Sequence, residues 1–152
     1  MKTNCRSNTS GTGLVILIIL LALIGAGAWW LFNNKKTMDR EARAFAREFV
    51  QRVGVNHDPA FFAEHLSPQT KLEFPPSRQQ SVMGKLQEMG VAAQPIQIEE
   101  TVTFESHFFQ PRGFFVAHLN YPGQMAVMEF GVSHPVSRWQ IDSFDLKWER
   151  AR

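Results

Sequence analysis

The chain changes its hydrophobic rhythm twice. Residues 14 to 32 form an unbroken apolar run without a single charge, from Leu14 to Phe32. At about 1.5 Å of rise per residue this run spans roughly 28 Å, close to the hydrocarbon thickness of a bilayer. From residue 38 the pattern becomes helical. Ala42, Phe45, Ala46, Phe49, Val50 and Val53 recur at steps of three and four and give one apolar stripe. The charged residues Asp39, Arg40, Arg43, Arg47 and Glu48 lie off that stripe, and Gly54 ends the predicted helix. From residue 95 the period drops to two, and the rest of the chain reads as strands and turns.

Between these stretches, short start signals predict further helices. Asp58-Pro59 has the form of an N-cap followed by proline at the first helical position, ahead of Phe61, Phe62 and Leu66. Ser67-Pro68 repeats the signal. Pro75-Pro76-Ser77 starts a helix over about residues 78 to 89, with Val82, Leu86 and Met89 on one face and Gly90 closing it.

Four strands follow. Ile96, Ile98, Val102 and Phe104 share the parity of the first, and residues 114 to 121 form the second. Pro122-Gly123 is a turn into the third at 125 to 133, and His134-Pro135-Val136-Ser137 turns into the fourth at 138 to 148. Setting Ser133 opposite Arg138 pairs Val132 with Trp139 and Phe130 with Ile141, and places Glu129 opposite Asp142. Apolar parity then slips between Ile141 and Phe144, which predicts a β-bulge near Asp142-Ser143. The expected fold is α+β: an N-terminal transmembrane helix, then three helices on a curved four-stranded antiparallel sheet. The expected divisions are a polar tail at 1–13, the transmembrane helix at 14–32, a membrane-proximal junction at 33–37 and the α+β domain at 38–152.

The apolar run reads as an uncleaved anchor. Trp29 and Trp30 suit the interfacial aromatic belt, and Lys35 and Lys36 suit the headgroup layer. A cleavable signal peptide with Ala26-Gly27-Ala28 as its small-residue site is the alternative, and a buried soluble helix a third. The count of Lys and Arg on the two flanks favours a cytoplasmic C-terminal side, whereas a short basic tail with Lys2 and Arg6 is the layout of a signal anchor. The orientation adopted is N-terminus inside and domain outside, in the periplasm-like space of a bacterial inner membrane. Ala22, Gly25 and Ala26 offer close approach to another helix, or simply face lipid.

Charge and chemistry narrow the picture further. Residues 35 to 152 carry 14 basic and 14 acidic side chains, so the domain lacks the basic footprint of nucleic-acid binding. The single cysteine, Cys5, precedes the anchor and allows no disulfide within the chain. The histidines at 57, 65, 107, 118 and 134 fall in no metal-ligand spacing and read as loop or surface groups. No nucleophile elbow or phosphate-binding loop is present, and no cofactor is implied.

The element order resembles the NTF2-like group of cystatin-like α+β folds. The resemblance is carried by the amphipathic helix at 42 to 53, the helix ending at Leu86 to Gly90, and the closing strand Arg138-Trp139-Gln140-Ile141-Asp142-Ser143-Phe144. It covers roughly residues 40 to 149. An anchor followed by such a domain is also similar to the bitopic inner-membrane subunits of bacterial secretion channels. NTF2-like domains host enzymes, ligand binders and assembly modules, so fold alone selects no function.

Two functions are therefore expected side by side. The first is a non-enzymatic accessory or assembly subunit that binds a protein partner or a second copy. Its interface would use Phe114, Val116, Phe115 and Leu119, because both faces of the central strands are partly apolar. The second is a ligand binder or enzyme with a conical pocket holding His118, Glu129, Asp142 and Tyr121, the resemblance supplying the acid–base and tyrosine or histidine donor roles. More often such a group as the first three is an exposed polar face, and packing beside the Pro122-Gly123 turn is the more usual role for Tyr121.

Overall fold

In the computed structural model the described residues are 9–105, 110–135 and 137–150. Cys5, the tail residues Lys2 and Arg6, His107 and Val136 lie outside them. The protein is α+β, and the chain forms two compact units, Met1–Thr37 and Met38–Arg152. Helix α1 spans Thr9–Phe49. Along its apolar stretch Leu14 to Leu21 are each more than half exposed, as are Trp29 and Trp30. It is long and apolar enough to cross a membrane. At the end of the first unit Lys36 Nζ lies 4.7 Å from the Phe32 ring centroid, and Thr37 Oγ1 donates to the Asn33 carbonyl at 3.1 Å.

In the second unit the expected stripe is the buried one: Ala42, Phe45, Ala46, Phe49, Val50 and Val53 all belong to the core. The helix does not stop at Gly54. It widens instead into a π-helical segment, Val50–Val55. The physical reason is packing. A β-carbon at Gly54 would lie 3.0 Å from Leu119 Cδ1, so glycine there lets the helix meet the sheet closely.

Three short helices follow: α2 Pro59–His65, α3 Pro68–Glu73 and α4 Pro76–Met89. Asp58 Oδ1 accepts from the amides of Ala60 and Phe61, both at 3.1 Å, and caps α2. Ser67 Oγ accepts from Thr70 N at 3.2 Å and caps α3. The Ser67-Pro68 signal thus starts a helix of its own, so the domain has one helix more than expected. Helix α4 starts at Pro76, two residues earlier than expected, with proline in its first turn.

The sheet is antiparallel with order β1-β2-β3-β4, over Gln97–Glu105, Gln110–Tyr121, Gln124–Ser133 and Gln140–Arg150, and it is not closed into a barrel. Pro122 and Gly123 join β2 to β3, with Gly123 at φ 82°, a region that favours glycine. Between β3 and β4 the register differs from expectation. Ser133 pairs with Gln140, Val132 with Ile141 and Phe130 with Phe144, so Glu129 faces Asp145 and not Asp142. The cause is Trp139. It leaves the ladder to stack on Phe45, with ring centroids 6.2 Å apart, and also meets His134 at 5.0 Å. The bulge falls where expected: Gly131 pairs with Ser143 and Val132 with Ile141, leaving Asp142 as the extra residue.

One face of the sheet carries the core. Phe115, Ala117, Leu119, Phe130 and Met128 are fully buried there against Phe49 and Phe62. Phe49 lies 4.9 Å from the Phe130 ring, and Phe62 lies 4.9 Å from Phe144. Burying a side chain of this size contributes roughly 1.5–3 kcal/mol, so this layer outweighs any single polar contact in the domain.

Candidate functional site

The antiparallel registers build the outer face of the sheet row by row. One row runs Thr101, Phe114, Gly131, Ser143. The next runs Glu99, Val116, Glu129, Asp145, and the third Gln97, His118, Val127, Lys147. Alternation puts Phe114, Val116 and His118 on this face and Phe115, Ala117 and Leu119 on the core face. The four expected interface residues therefore separate: Phe115 and Leu119 are core, while Phe114 is 46% exposed and Val116 half-buried.

Gly131 leaves the centre of the first row without a side chain. A β-carbon there would stand 2.6 Å from Ser143 Oγ. The Ser143 hydroxyl takes that place, and beside it opens a groove of about 320 Å³ with Phe114 as one wall and Thr101, Thr103, Arg112 and Ser143 among its lining.

The second row is acidic, and Lys147 organises it. Its Nζ lies 2.6 Å from Glu129 Oε1 and 3.7 Å from Asp145 Oδ2. Two carboxylates on facing strands repel unless a cation intervenes, and Lys147 supplies that cation. The Glu129 hydrogen bond is the main reason that its pKa is raised above the ordinary lysine value. His118 Nε2 stands 3.9 Å from Glu99 Oε1.

The four residues expected to share a pocket are not brought together. His118 and Glu129 are on the outer face. Tyr121 is on the core face, 5% exposed, and its hydroxyl donates to the Gly54 carbonyl at 2.7 Å. Burial raises the Tyr121 pKa to about 12, which keeps the hydroxyl a donor. Asp142 sits at the bulge, where its backbone carbonyl accepts from Thr70 Oγ1 at 2.7 Å and its carboxylate from Gln140 Nε2 at 3.3 Å.

Around that bulge lies a polar cleft of about 540 Å³. Gln69, Gln110, Arg112, His134, Gln140 and Asp142 contribute its polar side chains. Of these, sequence reasoning singled out Asp142 alone as a pocket residue. The parity slip that placed the bulge was the available signal, because bulges re-aim side chains. Arg112 and Gln110 were missed because the second strand begins at Gln110 and not at Phe114.

Histidines expected in loops or at the surface include one that packs within a helix. His65 lies on α2 and stacks on Phe61 with centroids 4.1 Å apart, its Nδ1 2.9 Å from the Phe61 carbonyl oxygen. His57 takes a positive φ of 54°, and burial lowers its pKa. Among the described residues no group of three or more His, Cys, Asp or Glu is placed to hold a metal ion.

Compared with protein-family models, curated proteins and solved structures, the chain matches none.

Proposed function

We propose that this protein is a single-pass, membrane-anchored accessory or assembly subunit, whose NTF2-like domain binds another protein of a membrane complex. The anchor is α1 over residues 14 to 32, with Trp29, Trp30, Lys35 and Lys36 at the interface. In this reading the domain lies on the periplasmic side of a bacterial inner membrane, which the signal-anchor layout of the tail supports and the count of Lys and Arg on the two flanks opposes.

One observation carries this reading. The outer sheet face presents Phe114 and Val116 beside a groove lined by Gly131 and Ser143, while the core face carries an aromatic layer. A domain with an aromatic core on one face of its sheet and exposed apolar side chains on the other offers a docking surface. The test is crosslinking in native membranes of the host, followed by mass determination of the products. A discrete hetero-complex is expected, and recovery of free monomer alone would sink the reading.

The polar cleft at the bulge favours a second reading, a small-ligand binder. Arg112 and Asp142 give it one charge of each sign, and the three glutamines and His134 add hydrogen-bonding groups. A screen of small polar metabolites by thermal shift tests it: a hit must lose its shift in Asp142→Ala, and a hit that keeps it counts against the cleft.

A further inference from the structure

We infer that the outer face of the sheet docks a cationic polypeptide segment that alternates basic with apolar side chains, one apolar side chain seating in the groove against Phe114. This rests on the accessory-subunit reading and specifies its partner.

Geometry supplies the first argument. Along the face, neighbouring strands stand about 4.8 Å apart and alternate residues on a strand repeat at about 6.7 Å. The groove at Phe114 therefore lies one row from the acidic row of Glu99, Val116, Glu129 and Asp145. A partner strand or helix face carrying an apolar residue next to a basic one reaches both rows at once.

Charge supplies the second. The outer face carries four carboxylates among the described residues, Glu99, Glu129, Asp145 and Glu149, against two cations, Arg112 and Lys147. Lys147 is already held between Glu129 and Asp145. Glu99, whose side chain is 78% exposed, stands 3.9 Å from His118 Nε2. A basic side chain whose stem lies on Val116 gains apolar contact along the stem and a carboxylate on each side of its head.

These features also select against other occupants. A second copy docking face to face would set the acidic rows against each other, which is repulsive. An acidic partner meets the same repulsion.

The test uses the full chain in nanodiscs of phosphatidylcholine, titrated with fluorescent synthetic heptapeptides and corrected against empty discs. One peptide alternates lysine with leucine and valine. The second replaces its lysines by glutamate, and the third replaces its apolar residues by serine. The lysine–leucine peptide is expected to bind, more weakly as salt rises, and the other two are not. Phe114→Ala and Glu99→Lys should each weaken it by about tenfold or more. Leu72→Ala, at an exposed residue of α3, should leave it unchanged. Thermal unfolding of each variant checks that the fold survives. Equal binding of all three peptides, absence of binding, or wild-type affinity in Phe114→Ala overturns the inference. So does efficient disulfide dimerisation of Phe114→Cys, which would assign the face to a second copy. A hetero-complex captured in host membranes by a crosslinker at Leu72 and not at Phe114 would overturn this inference while leaving the accessory-subunit reading standing.

Discussion

The hydroxyl of Tyr121 donates a 2.7 Å hydrogen bond to the carbonyl of Gly54, tying the end of β2 to the π-helical end of the long helix. The two residues are 67 positions apart in the chain. The bond is buried, so its acceptor has no easy substitute. Tyr121→Phe should lower stability by about 1–3 kcal/mol, the cost of an unpaired buried polar group. Chemical denaturation of the full chain in detergent, monitored by far-UV circular dichroism, measures it. An unchanged midpoint would mean that the bond contributes nothing net.

The same tyrosine predicts a pH dependence. Its folded pKa of about 12 lies above the ordinary 10 because the buried site disfavours the phenolate. A raised pKa means that the native state holds its proton where the unfolded state has lost it. This contribution is complete below pH 10 and declines as the pH rises towards 12. The thermal midpoint of the wild type should fall more steeply over that window than that of Tyr121→Phe. Parallel curves would contradict this.

Gly54 should resist enlargement. Its β-carbon would meet Leu119 Cδ1 at 3.0 Å and Cδ2 at 3.2 Å, inside a core without exposed neighbours. Gly54→Val should cost roughly 1–3 kcal/mol by overpacking. A double variant with Leu119→Ala should recover part of the loss, and a strictly additive double variant would argue against a shared contact.

Phe49 is the hub of the aromatic core. It is fully buried and its ring meets those of Phe45, Phe61, Phe62, Phe130 and Phe144. Phe49→Ala should cost about 3–5 kcal/mol, against roughly 0.5–2 kcal/mol for removing the α2 cap in Asp58→Ala. Denaturation midpoints that rank Asp58→Ala as the more damaging change would invert this hierarchy.

The anchor has its own test. Placing arginine at Ile19 and Leu23 together sets two charges at the centre of the apolar run, at about 2.5–3.5 kcal/mol each for insertion. The variant should shift from the carbonate-resistant membrane fraction to the soluble or degraded pool. A variant that stays carbonate-resistant would show that α1 is not held by lipid.

What was legible in the sequence follows from range. The apolar stripe from Ala42 to Val53, the Asp58 and Ser67 caps, the Pro122-Gly123 turn and the bulge at Asp142 are local patterns, and the structure contains each of them. The β3–β4 register was misjudged because the loop includes Trp139, whose place is set by Phe45, far away in the chain. The candidate site suffered more. Parity alone separates His118 from Tyr121, yet the pairing of Glu129 with Asp145 and Lys147 needed the true register.

The sequence by itself determined the elements: an apolar helix of bilayer length, an amphipathic helix and four alternating strands, because periodicity and caps act over a few residues. Only the tertiary structure decided which carboxylates share a row, that Gly54 is a packing contact and not a helix stop, and that Phe114 faces outward beside a groove. Those outcomes depend on which distant side chain fills which space, and no local pattern encodes that.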